Sequence, residues 1–142
     1  MHTVRQLLAS KRGGIVTISP EVSVFRALEL MAERDIGAVV VTRDDQVIGI
    51  LSERDYARKV ILHNKSSRDI TVDEIMTDRV VSVGLTHTIE DCMALMTDKR
   101  IRHLPVVEAD RLVGVLSIGD LVKATIDDQH FVIQQLEHYI AH

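Results

Sequence analysis

Aromatic side chains are scarce: Phe25, Tyr56, Phe131 and Tyr139 make up 3% of 142 residues, and there is no tryptophan. That excludes a binding surface built from stacked aromatic rings. The single cysteine, Cys92, excludes an internal disulfide and a cysteine-based zinc site. Pro20 and Pro105 are the only prolines, and long low-complexity tracts are absent. No run of 18 apolar residues occurs, so no membrane-spanning helix is expected. The start, Met1-His2-Thr3-Val4-Arg5-Gln6, lacks the charged-then-apolar layout of a signal peptide, and a cytoplasmic location is the default. Seventeen basic against 21 acidic residues give −4, which argues against nonspecific nucleic-acid binding.

What the chain does have is aliphatic mass. Hydrophobic residues make up 46%, and Val and Ile together number 33. Such β-branched side chains favour buried strands, so the expected fold is α/β (α+β) with an aliphatic core.

An internal repeat organises the sequence. Val47-Ile48-Gly49-Ile50-Leu51-Ser52-Glu53-Arg54-Asp55 resembles Leu112-Val113-Gly114-Val115-Leu116-Ser117-Ile118-Gly119-Asp120. Held without a gap from Val16–Ala57 onto Val81–Val122, an offset of 65 gives 10 identities in 42 positions. Each copy reads as β-α-β-β-α. A strand at Gly14–Ile18 or Arg79–Val83 precedes an amphipathic helix with Val24, Ala27, Leu28 and Met31, or Ile89, Cys92, Met93 and Met96, at spacing three or four. Ser23 and Thr88 sit where N-caps belong. Ala38–Val41 and Leu104–Val107 then lead through polar turns, Arg43–Gln46 and Glu108–Arg111, into the glycine-bearing strands, a hairpin signature. Ser52 and Ser117 open a second helix. One copy is marginal in size, so the two are expected to pack sheet to sheet about a pseudo-twofold axis. The expected divisions are residues 1–62 (first copy with an N-terminal helix at Val4–Ser10), a linker at 63–78 with a helical piece at Val72–Met76, the second copy at 79–125, and a C-terminal helix at 126–142.

The two h-h-G-h-h-S-x-x-D segments, the first strands ending at Thr17 and Ser82, Ile101-Arg102-His103-Leu104-Pro105-Val106, and Glu74-Ile75-Met76-Thr77 resemble a tandem pair of cystathionine-β-synthase (CBS) domains, the Bateman module. The resemblance covers nearly the whole chain. It implies a regulatory protein, not an enzyme. The implied ligand contains adenosine (AMP, ADP, ATP, S-adenosylmethionine or NAD) and lies in a cleft between the repeats. It also implies a homodimer that signals to an effector protein; the charge balance and the lack of a long apolar run leave neither nucleic acid nor membrane as an expected partner.

Ser at an N-cap with an acid at N3 is a variant capping box and needs no ligand. The resemblance adds a second role. Asp55 and Asp120 would accept hydrogen bonds from ribose hydroxyls, and the helix N-termini at Ser52 and Ser117 would favour phosphate. Thr17-Ile18 and Ser82-Val83 would meet the adenine edge, although Ile18 and Val83 fit equally well as core. Gly37-Ala38 is matched by Arg102-His103, so the halves should differ. Arg102, His103 and Arg54, with Pro105 nearby, would make the Asp55 site the better phosphate binder and leave the Asp120 site roomier and less charged.

Other signals carry less. His138 and His142, at i and i+4, could hold a metal but lack a third ligand, and no native metal site is expected. Gly13-Gly14 lacks the rest of a P-loop. Cys92 reads as core, not nucleophile. Two alternatives remain open: a ligand-free interaction module, and a nucleotide-hydrolysing enzyme for which no general base with an oriented partner is legible.

Overall fold

A computed structural model describes residues 2–11 and 13–141. The chain divides into two compact units: residues 14–81 with 108–113, and residues 1–13, 82–107 and 114–142.

The first of these contains β1 (Thr17–Ile18), α2 (Val24–Arg34), β2 (Ala38–Arg43) and β3 (Gln46–Ser52). It continues with α3 (Glu53–Tyr56), a π-helical turn (Ala57–Ile61) and α4 (Val72–Ile75). β1 runs parallel to β2, with Thr17 opposite Val40, and β2 pairs antiparallel with β3. The hairpin turn places Asp44 and Asp45 at φ of 52° and 64°, the two-residue left-handed turn that suits strand twist. Ser23 caps α2 by accepting from the Arg26 amide, and Asp35 ends it in a left-handed conformation. The alternate apolar residues of the strands and one face of α2 form a single core: Ile18, Val24, Ala27, Met31, Val39, Val41 and Leu51, closed by Val60, Ile70, Val72 and Ile75.

The other unit contains α1 (Val4–Ser10), α5 (Ile89–Lys99), β4 (His103–Glu108) up to residue 107, β5 (Arg111–Ser117) from residue 114, and α6 (Ile118–Ala141). Its buried residues include Val4, Val83, Ile89, Cys92, Met96, Leu104, Val106, Leu116 and Leu121. Both first strands are shorter than expected: Gly14–Ile18 to Thr17–Ile18, and Arg79–Val83 to one parallel bridge, Val83 to Val106. The rung that the second copy lacks at Ser82 is lost to Pro105. At the equivalent place Val40 completes a second rung opposite Thr17, and that rung needs an N–H that proline does not have.

Three boundaries differ from the expected ones. First, α1 does not group with residues 14–62. The Val4 and Arg5 amides donate to the carbonyls of His87 and Leu85, and Thr3 bridges Thr88. Second, the segment expected as linker is core from Ile70 onward. Thr71 bridges Ser23, Thr77 bridges Ile50, and the Val72 amide donates to Val22. Third, the helix opening at Ser117 and the C-terminal helix are one unbroken α6, because no proline or internal glycine interrupts residues 120–141.

The first two differences share one motif. Thr3-Val4-Arg5-Gln6-Leu7-Leu8 and Thr71-Val72-Asp73-Glu74-Ile75-Met76 are equivalent at an offset of 68, both with capping boxes at their first residue. Val4 and Val72 are both fully buried. Leu8 and Met76 lie over the shared glycines: a Cβ on Gly114 would come 2.6 Å from Leu8, and one on Gly49 would collide with the Met76 side chain. The close approach favours glycine at both places, more strictly at Gly114, under the branched Leu8, than at Gly49, under the flexible Met76. Each unit is therefore completed by a segment from outside its own sequence copy.

Candidate functional site

Each unit ends its hairpin in a serine that caps a helix, and each helix carries an aspartate in its first turn. In the unit of residues 14–81, the Asp55 amide donates to Ser52 Oγ at 3.1 Å, and Asp55 Oδ2 accepts from the Ser52 amide and hydroxyl, both at 3.0 Å. In the other, the Ser117 amide donates to Asp120 Oδ2 at 2.8 Å, and the Asp120 amide to Ser117 Oγ at 3.2 Å. The capping role expected for both serines is present in full. The backbone before each helix is pinned alike: the Glu53 amide donates to Gly37 O at 3.0 Å and the Ile118 amide to Arg102 O at 2.9 Å.

Each carboxylate also holds a lysine that was not among the expected site residues; Lys59, in the basic stretch with Arg54, Arg58 and Lys65, fits a solvated face from sequence alone. Lys59 Nζ lies 3.3 Å from Asp55 Oδ1 and donates to Ile75 O at 2.9 Å. Lys11 Nζ lies 2.8 Å from Asp120 Oδ2 and donates to Val115 O at 2.6 Å. In both cases one ammonium spans the carboxylate and a backbone carbonyl. The two lysines come from different chain positions, the helix itself in one unit and the end of α1 in the other. Lys59 is legible in principle, four residues after Asp55 on one helix face. Lys11 is not, because 109 residues separate it from Asp120. Thr77 Oγ1 adds a 3.4 Å contact to Asp55 Oδ1; its place in Glu74-Ile75-Met76-Thr77 was the available signal.

The electrostatics follow from this geometry. Burial alone would raise the Asp120 carboxyl, but the Lys11 ammonium and the Ser117 bonds outweigh it and hold the group below its ordinary value of 3.8. His103 is held below its ordinary 6.5, first by burial and then by the positive charges of Lys11 and Arg102, against the pull of Asp120. His103 is therefore neutral at pH 7. The Asp120 half, expected to be the less charged, carries an ammonium at its carboxylate.

The remaining expected residues are distributed as follows. Thr17 and Ser82 are exposed at the ends of their segments, while Ile18 and Val83 are buried in their cores. Ala38 and Pro105 are buried, Gly37 and His103 are half-buried, and Arg54 and Arg102 are exposed. Pro105 offers its carbonyl to the Val83 amide at 3.0 Å. Cys92 is fully buried, and burial, then Asp91, pushes its thiol up to about 11, which fits core better than nucleophile. Among the described residues no cluster of three or more His, Cys, Asp or Glu could hold a metal; His142, half of the considered histidine pair, lies outside them. Among the described residues no helix is long and apolar enough to cross a membrane.

The architecture has close counterparts. A putative signal-transduction protein with CBS domains from Burkholderia ambifaria superposes with a TM-score of 0.87 at 47% identity, over 90% of this chain and 96% of that one. The mitochondrial CBS domain-containing protein CBSX3 of Arabidopsis thaliana is 37% identical over 123 residues, 83% of this chain and 60% of the relative's length. The CBS domain pair of protein MJ0100, solved with 5′-methylthioadenosine and S-adenosylmethionine, shares the fold at a TM-score of 0.79 and 22% identity. The family profile of the CBS domain matches residues 4–62 and again 72–127. With two matched repeats and the same paired architecture, the chain belongs to the CBS-domain family, as a tandem CBS pair.

Proposed function

We propose that this CBS pair is a sensor that binds an adenosine-containing nucleotide and relays its presence to an effector protein as a homodimer, without catalysing a reaction. Asp55 and Asp120 are the ribose-binding groups of this reading. The observation that carries it is the repeated aspartate at the third position of a serine-capped helix, with an ammonium against each carboxylate. A carboxylate in the first helical turn can accept from two vicinal hydroxyls at once.

The lysines favour a phosphorylated ligand over a bare nucleoside. Ribose hydroxyls that displace Lys11 or Lys59 leave an ammonium without its anion, which is unfavourable in a half-buried site. A phosphate gives the displaced ammonium a new partner. AMP, ADP, ATP and NAD all supply one. S-Adenosylmethionine has no phosphate and is the weaker candidate here, although MJ0100 binds it.

The signal itself is a population shift: the ligand favours whichever conformation it binds more tightly, by its difference in affinity. Thermal-shift measurements with AMP, ADP, ATP, NAD, S-adenosylmethionine and adenosine test the reading. A ligand at 100 times its Kd stabilises by about 2.7 kcal/mol. The expected result is stabilisation by at least one phosphorylated ligand, weaker for adenosine, and reduced by Asp55→Asn or Asp120→Asn. No shift with any of them would leave the ligand-free module. ATP turnover on incubation would point to the hydrolase.

A further inference from the structure

The C-terminal half of α6 is an exposed amphipathic helix. Every residue from Phe131 to Ile140 is exposed, among them Ile133 at 51%, Leu136 at 56% and Ile140 at 81%. Their spacing is regular. Ile126, Ile133 and Ile140 recur every seven residues, and so do Val122, Gln129 and Leu136, four residues ahead of them. This is the a/d pattern of a coiled coil, with isoleucine at every a position. Val132 and Tyr139 widen the same face, and Asp127, Gln134 and Gln135 lie away from it. A helix end of this length, standing alone in water, is marginal.

We infer that this face packs on the same face of a second copy of the chain, with the two helices antiparallel. The inference rests on the preceding reading only in taking the protein as a homodimer; the ligand plays no part.

The face is self-complementary in that direction. Run antiparallel, Ile126 packs on the partner's Leu136, Ile133 on the partner's Gln129 and Ile140 on the partner's Val122. Lys123, on the edge of the stripe, then meets the partner's Glu137. Two-fold symmetry makes that ion pair twice. A parallel pairing would set Glu137 beside the partner's Val132 and make neither. Gln129, the one polar residue in the seam, faces the partner's Ile133 and costs the dimer some stability.

Sedimentation velocity and light scattering on the full chain at micromolar concentration test this. The wild type should be a dimer. Leu136→Lys should weaken it by at least about a hundredfold, because a charge enters an apolar seam. Its thermal midpoint and helix content should stay close to wild type, since the position is exposed in the single chain. Glu137→Lys should weaken the dimer by about tenfold, and adding Lys123→Glu should restore it. A monomeric wild type overturns both the homodimer and this surface, leaving the face to an effector protein or to a refolded tail. A dimer indifferent to Leu136→Lys overturns this surface and leaves the homodimer standing elsewhere. Failure of the double exchange to restore affinity overturns the antiparallel order.

Discussion

Replacing Lys11 by Met isolates the ammonium that sits on Asp120. Methionine keeps most of the aliphatic stem, so the change removes charge and two contacts more than packing. The ion pair is partly screened, with side chains 35% and 25% exposed, and such a pair contributes about 0.5–1 kcal/mol. The hydrogen bond to Val115 O contributes about 1 kcal/mol more. Lys11→Met should therefore destabilise the protein by roughly 1–2 kcal/mol in urea denaturation at neutral pH. The sign of the pH dependence follows from the depressed Asp120 carboxyl. A carboxyl held low in the folded state stabilises above its unfolded value, and that stability is lost as pH falls through its folded value. The gap between wild type and Lys11→Met should narrow in that acidic range, to about the hydrogen-bond part. In the variant, burial is opposed only by the Ser117 bonds, so the Asp120 carboxyl should titrate higher by NMR. A loss of stability that is the same at every pH, with an unmoved Asp120 titration, would refute the reasoning.

Gly114→Ala should destabilise by about 1–3 kcal/mol, because the new Cβ meets the branched end of Leu8. Gly49→Ala should be milder, since Met76 is unbranched and can swing away, and denaturation of both variants compares them. Cys92 should resist a thiol reagent in the native protein and react once unfolded, its thiol being fully buried and raised to about 11. His103 is depressed when folded, so the unfolded chain takes up the proton first and stability should fall as pH drops below about 6.5. His103→Asn should flatten that part of the stability profile.

The helices, the hairpins and the two serine-capped aspartates were legible because each is written in local spacing. Runs of β-branched residues, N-cap serines and the left-handed turns at Asp44-Asp45 and Ala109-Asp110 need no distant partner. Both first strands are shorter than their local strand preference implies, and in the second repeat the rung at Ser82 is missing as well. The donor missing at Pro105 acts from a distant position in the chain. Lys11 was invisible for the same reason, at greater distance. Arg102 and Arg54 were weighed for their charge, yet the cations found on the carboxylates are lysines. Composition marks charge without saying which long side chain reaches back.

The exchanged segments decide what the smallest folding piece is. Read by sequence copy, residues 14–62 are one repeat. That piece omits Ile70, Val72 and Ile75, which are 9%, 0% and 3% exposed in its core. Burying each such side chain contributes about 1.5–3 kcal/mol, so the omission removes roughly 5–9 kcal/mol. The whole stability of a domain is about 5–15 kcal/mol. A fragment 14–62 should therefore be unfolded by circular dichroism and amide dispersion, and 14–81 should recover structure, because the second fragment restores the Thr71-Val72 segment over Gly49. A cooperative thermal transition in 14–62 would mean that α4 is an attachment and not part of the core. If the longer fragment alone gains structure, the Thr71-Val72 segment is part of the folding unit of residues 14–81. Each sequence copy lacks the strap that closes it, and the chain supplies that strap next to the other copy, so neither repeat as the sequence delimits it is stable alone.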